Sequence, residues 1–184
     1  MKTSHYLKLF VLVLLMSSCS ASKKSTKSSK EFSDSSKNTY VLKSKNNSLE
    51  DFANVLGVSK SELKNQKLYS YIDEWLGSPH KMGGLEKSGV DCSGFVGDLY
   101  VNVYKQDLPR TSRDMAEDIK KKYAKDLNEG DLVFFSFGGK NIDHVGVYLR
   151  NNKFVHVSTK KGVIVSDLSD SWYGNYLTKC GSVK

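Results

Sequence analysis

The sequence is poor in the residues that mark several common protein classes. It has three cysteines, two prolines and four histidines in 184 residues. Three cysteines cannot build the disulfide framework that staples a small secreted scaffold. The longest apolar run, Leu9–Met16, has eight residues, which excludes a protein of several membrane-spanning helices. Concentrated charge on the folded part is also missing. The net charge is +8, but Lys2 and Lys8, together with seven Lys against Glu31 and Asp34 in residues 20–48, leave only about +1 for residues 49–184. A nucleic-acid-binding domain gathers its positive charge on a folded face, so no nucleic-acid partner is expected. What is present, 39% hydrophobic and 11% aromatic residues, suffices for one domain with a sizeable core.

Residues 1–18 read as a signal peptide: a positive start, then an apolar run too short to span a bilayer. The following Met16-Ser17-Ser18-Cys19 resembles the bacterial lipobox, although Met stands where Leu is commoner. That resemblance implies a fatty-acylated Cys19, carrying palmitate or a similar chain, and a protein anchored to a membrane without crossing it. Residues 19–48 are dominated by Ser, Lys and Asn and show no apolar periodicity, so they are expected to be a flexible tether. Residues 49–65 are expected to form a short helical lead-in. Tyr40-Val41, Leu49, Phe52-Ala53, Gly57-Val58-Ser59 and Leu63 also loosely resemble the first part of a LysM glycan-binding repeat, without its closing part.

From residue 66 the pattern runs helices first and strands second. Leu68, Tyr71, Ile72, Trp75 and Leu76 recur at helical spacing, and Gly77-Ser78-Pro79 stops the helix. Phe95, Val96, Leu99, Tyr100 and Val103 mark one face of a second helix opening at Cys92, and residues 111–123 suggest a third, amphipathic one. Residues 131–137, 143–150, 153–158, 162–167 and 177–183 then read as strands separated by turn residues, with Asn151-Asn152 as a tight hairpin. This order predicts an α+β domain over residues 66–184, with helices packed on one face of an antiparallel meander of five or six strands.

Cys92, His144 and His156 carry the candidate chemistry. Cys92 opens a helix, where unpaired N–H groups and the macrodipole favour a thiolate. His144 and His156 fall on adjacent predicted strands. A two-residue turn at 151–152 pairs residues symmetrically about it, which sets the two His side chains on opposite faces of a regular ladder. A Cys–His pair needs an orienting third group beside the His, so a one-residue register shift is predicted here.

Asp91-Cys92-Ser93-Gly94-Phe95-Val96, preceded by Met82-Gly83-Gly84, resembles the nucleophile motif of the NlpC family of bacterial cell-wall cysteine peptidases. Leu108-Pro109-Arg110-Thr111-Ser112, Gly130–Phe135, His144–Tyr148 and Phe154-Val155-His156 follow in the family's order. The resemblance covers roughly residues 66–183. It implies a papain-like fold and cleavage of peptidoglycan stem peptides, most commonly between γ-D-glutamate and a diamino acid. It assigns Cys92 as nucleophile, His144 as base and His156 as its orienter. With the anchor at Cys19, the protein is expected to be a lipid-anchored monomer of the bacterial cell envelope, facing the periplasm, with no metal or other cofactor. Asp91 either binds polar groups of the stem peptide or caps the helix. Arg110 either pairs with a substrate carboxylate or fixes a loop. His80 stands where the family usually has a Tyr near the nucleophile, and the resemblance makes it a weakened stand-in at the substrate carbonyl. Cys180 is expected to be a small buried apolar residue.

Three other readings compete: an amidase or acyltransferase of the same superfamily, a zinc site built from Cys92, His144 and His156, and a non-catalytic wall-binding lipoprotein.

Overall fold

The structure, a computed structural model, describes residues 46–184. The expected signal peptide, Cys19 and most of the tether lie outside these residues. Helix α1 (Leu49–Leu56) begins at a capping box: the Asp51 N–H donates to Ser48 Oγ at 3.3 Å and the Ser48 N–H to Asp51 Oδ2 at 2.7 Å. It buries Phe52, Ala53 and Leu56 in the same core as α2 (Gln66–Trp75), so the lead-in is part of the domain's packing. A hairpin of β1 (Leu85–Glu86) and β2 (Gly89–Val90) precedes α3 (Cys92–Leu99), which runs on through one π turn to Tyr104. Then come α4 (Ser112–Glu117), β3 (Ile119–Lys121), β4 (Leu132–Phe135), β5 (His144–Tyr148), β6 (Lys153–Ser158), β7 (Gly162–Asp167), α5 (Ser171–Tyr176) and β8 (Leu177–Val183). Among the described residues no helix is long and apolar enough to cross a membrane.

The fold is α+β, with a six-stranded antiparallel sheet in the order β3-β8-β4-β5-β6-β7. Three details differ from the sequence reading. The sheet is not a simple meander, because β8 returns across it to lie between β3 and β4. The third helix ends at Glu117 instead of running to Tyr123; Ile119–Lys121 pairs with β8 and buries Ile119, so a tertiary partner overrides the amphipathic pattern. Both faces are also covered. Val145, Val147, Val155, Val157, Val163 and Val165 meet α2 and α3, while Val133, Phe135, Tyr148 and Phe154 face a second cluster with Tyr173 and Tyr176 of α5. Each fully buried Val or Phe is worth about 1.5–3 kcal/mol, so both layers hold the strands in place. Cys180 is buried in the second cluster, as expected.

The β5–β6 register decides where the two histidines point. Asn151 and Asn152 have φ of 47° and 63°, the left-handed pair of a type I′ turn, and the Lys153 N–H donates to the Arg150 carbonyl. The Leu149 N–H also donates to the Lys153 carbonyl, so Arg150 is an extra residue on one side. The ladder beyond therefore pairs Tyr148 with Phe154 and Gly146 with His156. This is the predicted one-residue shift, and it places His144 and His156 two positions apart on one face.

Candidate active site

Asp91 sets the start of α3. Its Oδ1 accepts from the Gly94 N–H at 2.7 Å and its Oδ2 from the Gly83 N–H at 2.8 Å. Arg110 grips the same carboxylate with both nitrogens, at 3.1 and 2.7 Å, and also donates to Ser93 Oγ at 2.8 Å. Ser93 Oγ donates to Asp91 Oδ1 at 3.3 Å. Five donors fill the carboxylate's acceptor positions, and these bonds hold its pKa below the ordinary value against the cost of burial. Asp91 is thus the helix cap and the anchor of Arg110, with no lone pair spare for a ligand amine. Arg110 uses three of its five N–H donors to fix the loop before α4 to the start of α3, and its half-exposed side chain still lines the cavity.

Cys92, the first residue of α3, lines a cavity of about 420 Å³ together with His80, Met82, Arg110, Phe137, Asp143 and His144. The backbone N–H of Val145, the residue after His144, hydrogen-bonds to the sulfur and favours the thiolate. Burial outweighs this and raises the thiol pKa above 9.0. Desolvation is thus the larger effect and works against the thiolate that the helix start favours.

The two histidines share a hydrogen bond: His144 Nε2 lies 2.9 Å from His156 Nδ1, with the rings nearly perpendicular. His156 Nε2 lies in turn 3.0 Å from Ser166 Oγ on β7. Gly146, opposite His156, makes room for this arrangement, since a Cβ there would sit 2.8 Å from Phe154 Cδ2 and 3.2 Å from His156 Cβ. Phe154 stacks on His156, Tyr173 meets it edge-on, and Phe137 packs against His144. Phe137 is set by Asp143, whose carboxylate accepts from the Phe137 and Gly138 N–H groups at 3.0 and 2.5 Å. This enclosure, by removing water, lowers the His144 pKa to about 4 and pushes that of His156 down as well. Burial thus works against the charged form of the thiol and of both imidazoles.

All six folded residues singled out from sequence come together here. Cys92, His144, Asp91, Arg110 and His80 line one cavity; His156 lies behind His144, in an adjoining cleft walled by Phe137, Trp172 and Tyr173. Sequence reasoning missed Ser166, Phe137 and α5. Ser166 carried one weak signal, a lone hydroxyl in Val163-Ile164-Val165-Ser166. Among the described residues no three His, Cys, Asp or Glu side chains are grouped to hold a metal ion, and the facing nitrogens of His144 and His156 are spent on each other.

A thiol beside an imidazole held by a second imidazole has the chemistry for proton transfer from sulfur to nitrogen. In fold, a Staphylococcus aureus lipoprotein-like protein of the NLP/P60 family superposes with a TM-score of 0.58 at 26% identity, over 64% of this chain and 40% of that one. The NlpC/p60 domain of peptidoglycan hydrolase SagA gives 0.55 over 63% of this chain and 96% of that one, at 24% identity, and supports the fold alone. In sequence, the murein DD-endopeptidase MepS/murein LD-carboxypeptidase of Escherichia coli K12 is 33% identical over 162 residues, 88% of this chain and 82% of that protein. A probable endopeptidase NlpC homolog of Haemophilus influenzae is 37% identical over 121 residues, 66% of this chain and 64% of its own length, just under two thirds. The NlpC/P60 family profile matches residues 77–182, from the turn after α2 into β8, and so takes in the whole of α3, which opens at Cys92, and the strands of His144 and His156: the chain belongs to the NlpC/P60 family.

Proposed function

We propose that this protein is a cysteine peptidase that hydrolyses a stem-peptide bond of peptidoglycan, with Cys92 as nucleophile, His144 as base and His156 as its orienter. The observation that carries the reading is the His144–His156 hydrogen bond at 2.9 Å, with His144 and Cys92 lining one cavity. Tying Nε2 to His156 leaves Nδ1 of His144 to take the Sγ proton. The thiolate attacks the scissile carbonyl carbon, the C–N bond breaks, and His144 returns the proton to the leaving amine. Water then hydrolyses the thioester, with His144 again as base. His80, on the cavity wall, is assigned to the substrate carbonyl. The relatives' names as murein endopeptidases support the substrate class.

The bond assigned is the one between γ-D-glutamate and the diamino acid. Digestion of purified wall fragments followed by mass analysis tests it. Products ending in γ-D-glutamate are expected; cut D,D cross-links would move the bond to the one in the Escherichia coli relative's name, and intact fragments would refute the peptidase. We also assign Cys19 as a lipid anchor in the bacterial envelope, from the lipobox-like Met16–Cys19. Cys19→Ala should end fatty-acid labelling, and unchanged labelling would refute the anchor.

A further inference from the structure

Ser166 is 1% exposed, lies on β7 opposite Phe154, and has no place in a three-residue account of the site. Its hydroxyl bonds His156 Nε2 at 3.0 Å and approaches Tyr173 Oη at 3.4 Å. The polarity of this chain of bonds is not free. His144 can accept the thiol proton only at Nδ1, so its Nε2 must carry hydrogen and donate to His156. His156 Nδ1 must then be bare and its Nε2 protonated, which requires an acceptor at Ser166. The Ser166 hydroxyl hydrogen is left to point at Tyr173. Once His144 has become imidazolium it donates from Nε2 in the same sense, so one polarity serves both stages. The reverse polarity protonates His144 at Nδ1 and disables it as a base.

We propose that Ser166 is a positioning residue of the catalytic site, fixing the tautomers of His156 and, through it, of His144. The inference rests on the peptidase reading above through the base role of His144, but the tautomers themselves are read without any measurement of activity. Removing the hydroxyl leaves the buried His156 Nε2–H without an acceptor, and buried donors are costly to leave unpaired. In Ser166→Ala, His156 is therefore expected to move its hydrogen to Nδ1 and donate to His144, reversing the chain.

The test uses side-chain ¹⁵N NMR of the full domain at neutral pH, with Ser166→Ala and Ser166→Thr beside the wild type. The wild type should show both rings protonated at Nε2. Ser166→Ala should show hydrogen at His156 Nδ1, and a kcat lower by about tenfold or more with KM within about twofold. Ser166→Thr, which keeps a hydroxyl, should restore the wild-type tautomer and most of kcat. Should Ser166→Thr fold poorly in the tight strand, the wild-type spectrum alone decides: His156 protonated at Nδ1 overturns the proposal. So does an unchanged kcat in a folded Ser166→Ala. An inactive wild type with the expected tautomers would overturn the peptidase reading and leave the tautomer lock standing.

Discussion

Replacing Asp91 separates a scaffold role from a binding role at the cavity wall. In Asp91→Ala the Gly94 N–H loses its cap, at about 1 kcal/mol. The Gly83 N–H loses a charged acceptor and is only partly re-solvated, at about 1 kcal/mol. Arg110 loses its bidentate partner; its side chain is 45% exposed, so water and salt screen the ion pair and about 1 kcal/mol is the most to expect from it. The sum is about 3 kcal/mol. Arg110→Ala removes only the last of these, so about 1 kcal/mol is expected, and the double variant should lie close to Asp91→Ala because the two share one interaction. Asp91→Asn keeps an oxygen for Gly94 but turns an NH₂ toward Gly83 and Arg110, and should cost about 2 kcal/mol. Urea unfolding gives the stabilities, with the slope checked for constancy, and steady-state turnover on a soluble wall peptide gives kcat and KM. The folded fraction of Asp91→Ala should lose kcat, because the cap sets the direction of the first turn carrying Cys92. A variant less than about 1 kcal/mol weaker, with KM raised more than about tenfold and kcat unchanged, would refute the scaffold argument and make Asp91 a substrate contact.

The acid limb of activity follows from His144. A base must be neutral, and its pKa of about 4 keeps it so well below the ordinary 6.5, so kcat/KM should hold from neutrality to about pH 5. A limb at 6.5 would contradict the burial argument. Stability shows the same shift with its own sign. The unfolded chain binds protons at His144 and His156 from pH 6.5 downward and the folded site resists them, so stability is full above 6.5 and falls between 6.5 and 4, by on the order of 3 kcal/mol for His144. Asp91 and Asp167, with lowered pKa values, add their loss only below 3.8. Gly146→Ala pushes a methyl into Phe154 and His156, and should cut turnover by more than about tenfold while the far-UV circular dichroism stays that of the wild type; normal turnover would mean the His pair tolerates displacement. His80→Tyr should leave turnover equal or higher, and a loss beyond about tenfold would show that the imidazole has a role of its own.

Much of the sheet was legible because its strands are short, rich in Val, Phe and Tyr, and bounded by residues suited to turns. The ranges 153–158, 162–167 and 177–183 are the observed strands. The His register was legible only through chemistry: spacing alone gave opposite faces, and the need for an orienting group demanded the bulge that Arg150 supplies. Other features depend on distant partners. Ile119–Lys121 looks helical until β8 pairs with it, and the six residues of α5 are too few for a periodicity to show. The raised thiol pKa of Cys92 and the bond from His156 to Ser166 depend on which side chains close over the site, which no local pattern encodes.

The central claim is that Cys92 and His144 act as one unit on a peptide bond. Single-turnover release of wall peptide by the wild type, Cys92→Ala, His144→Ala and the double variant measures this directly, with circular dichroism confirming the fold of each. Either single variant should lack turnover, and the double should be no worse, because groups that act together are not additive. Near-wild-type release by folded Cys92→Ala would contradict the account.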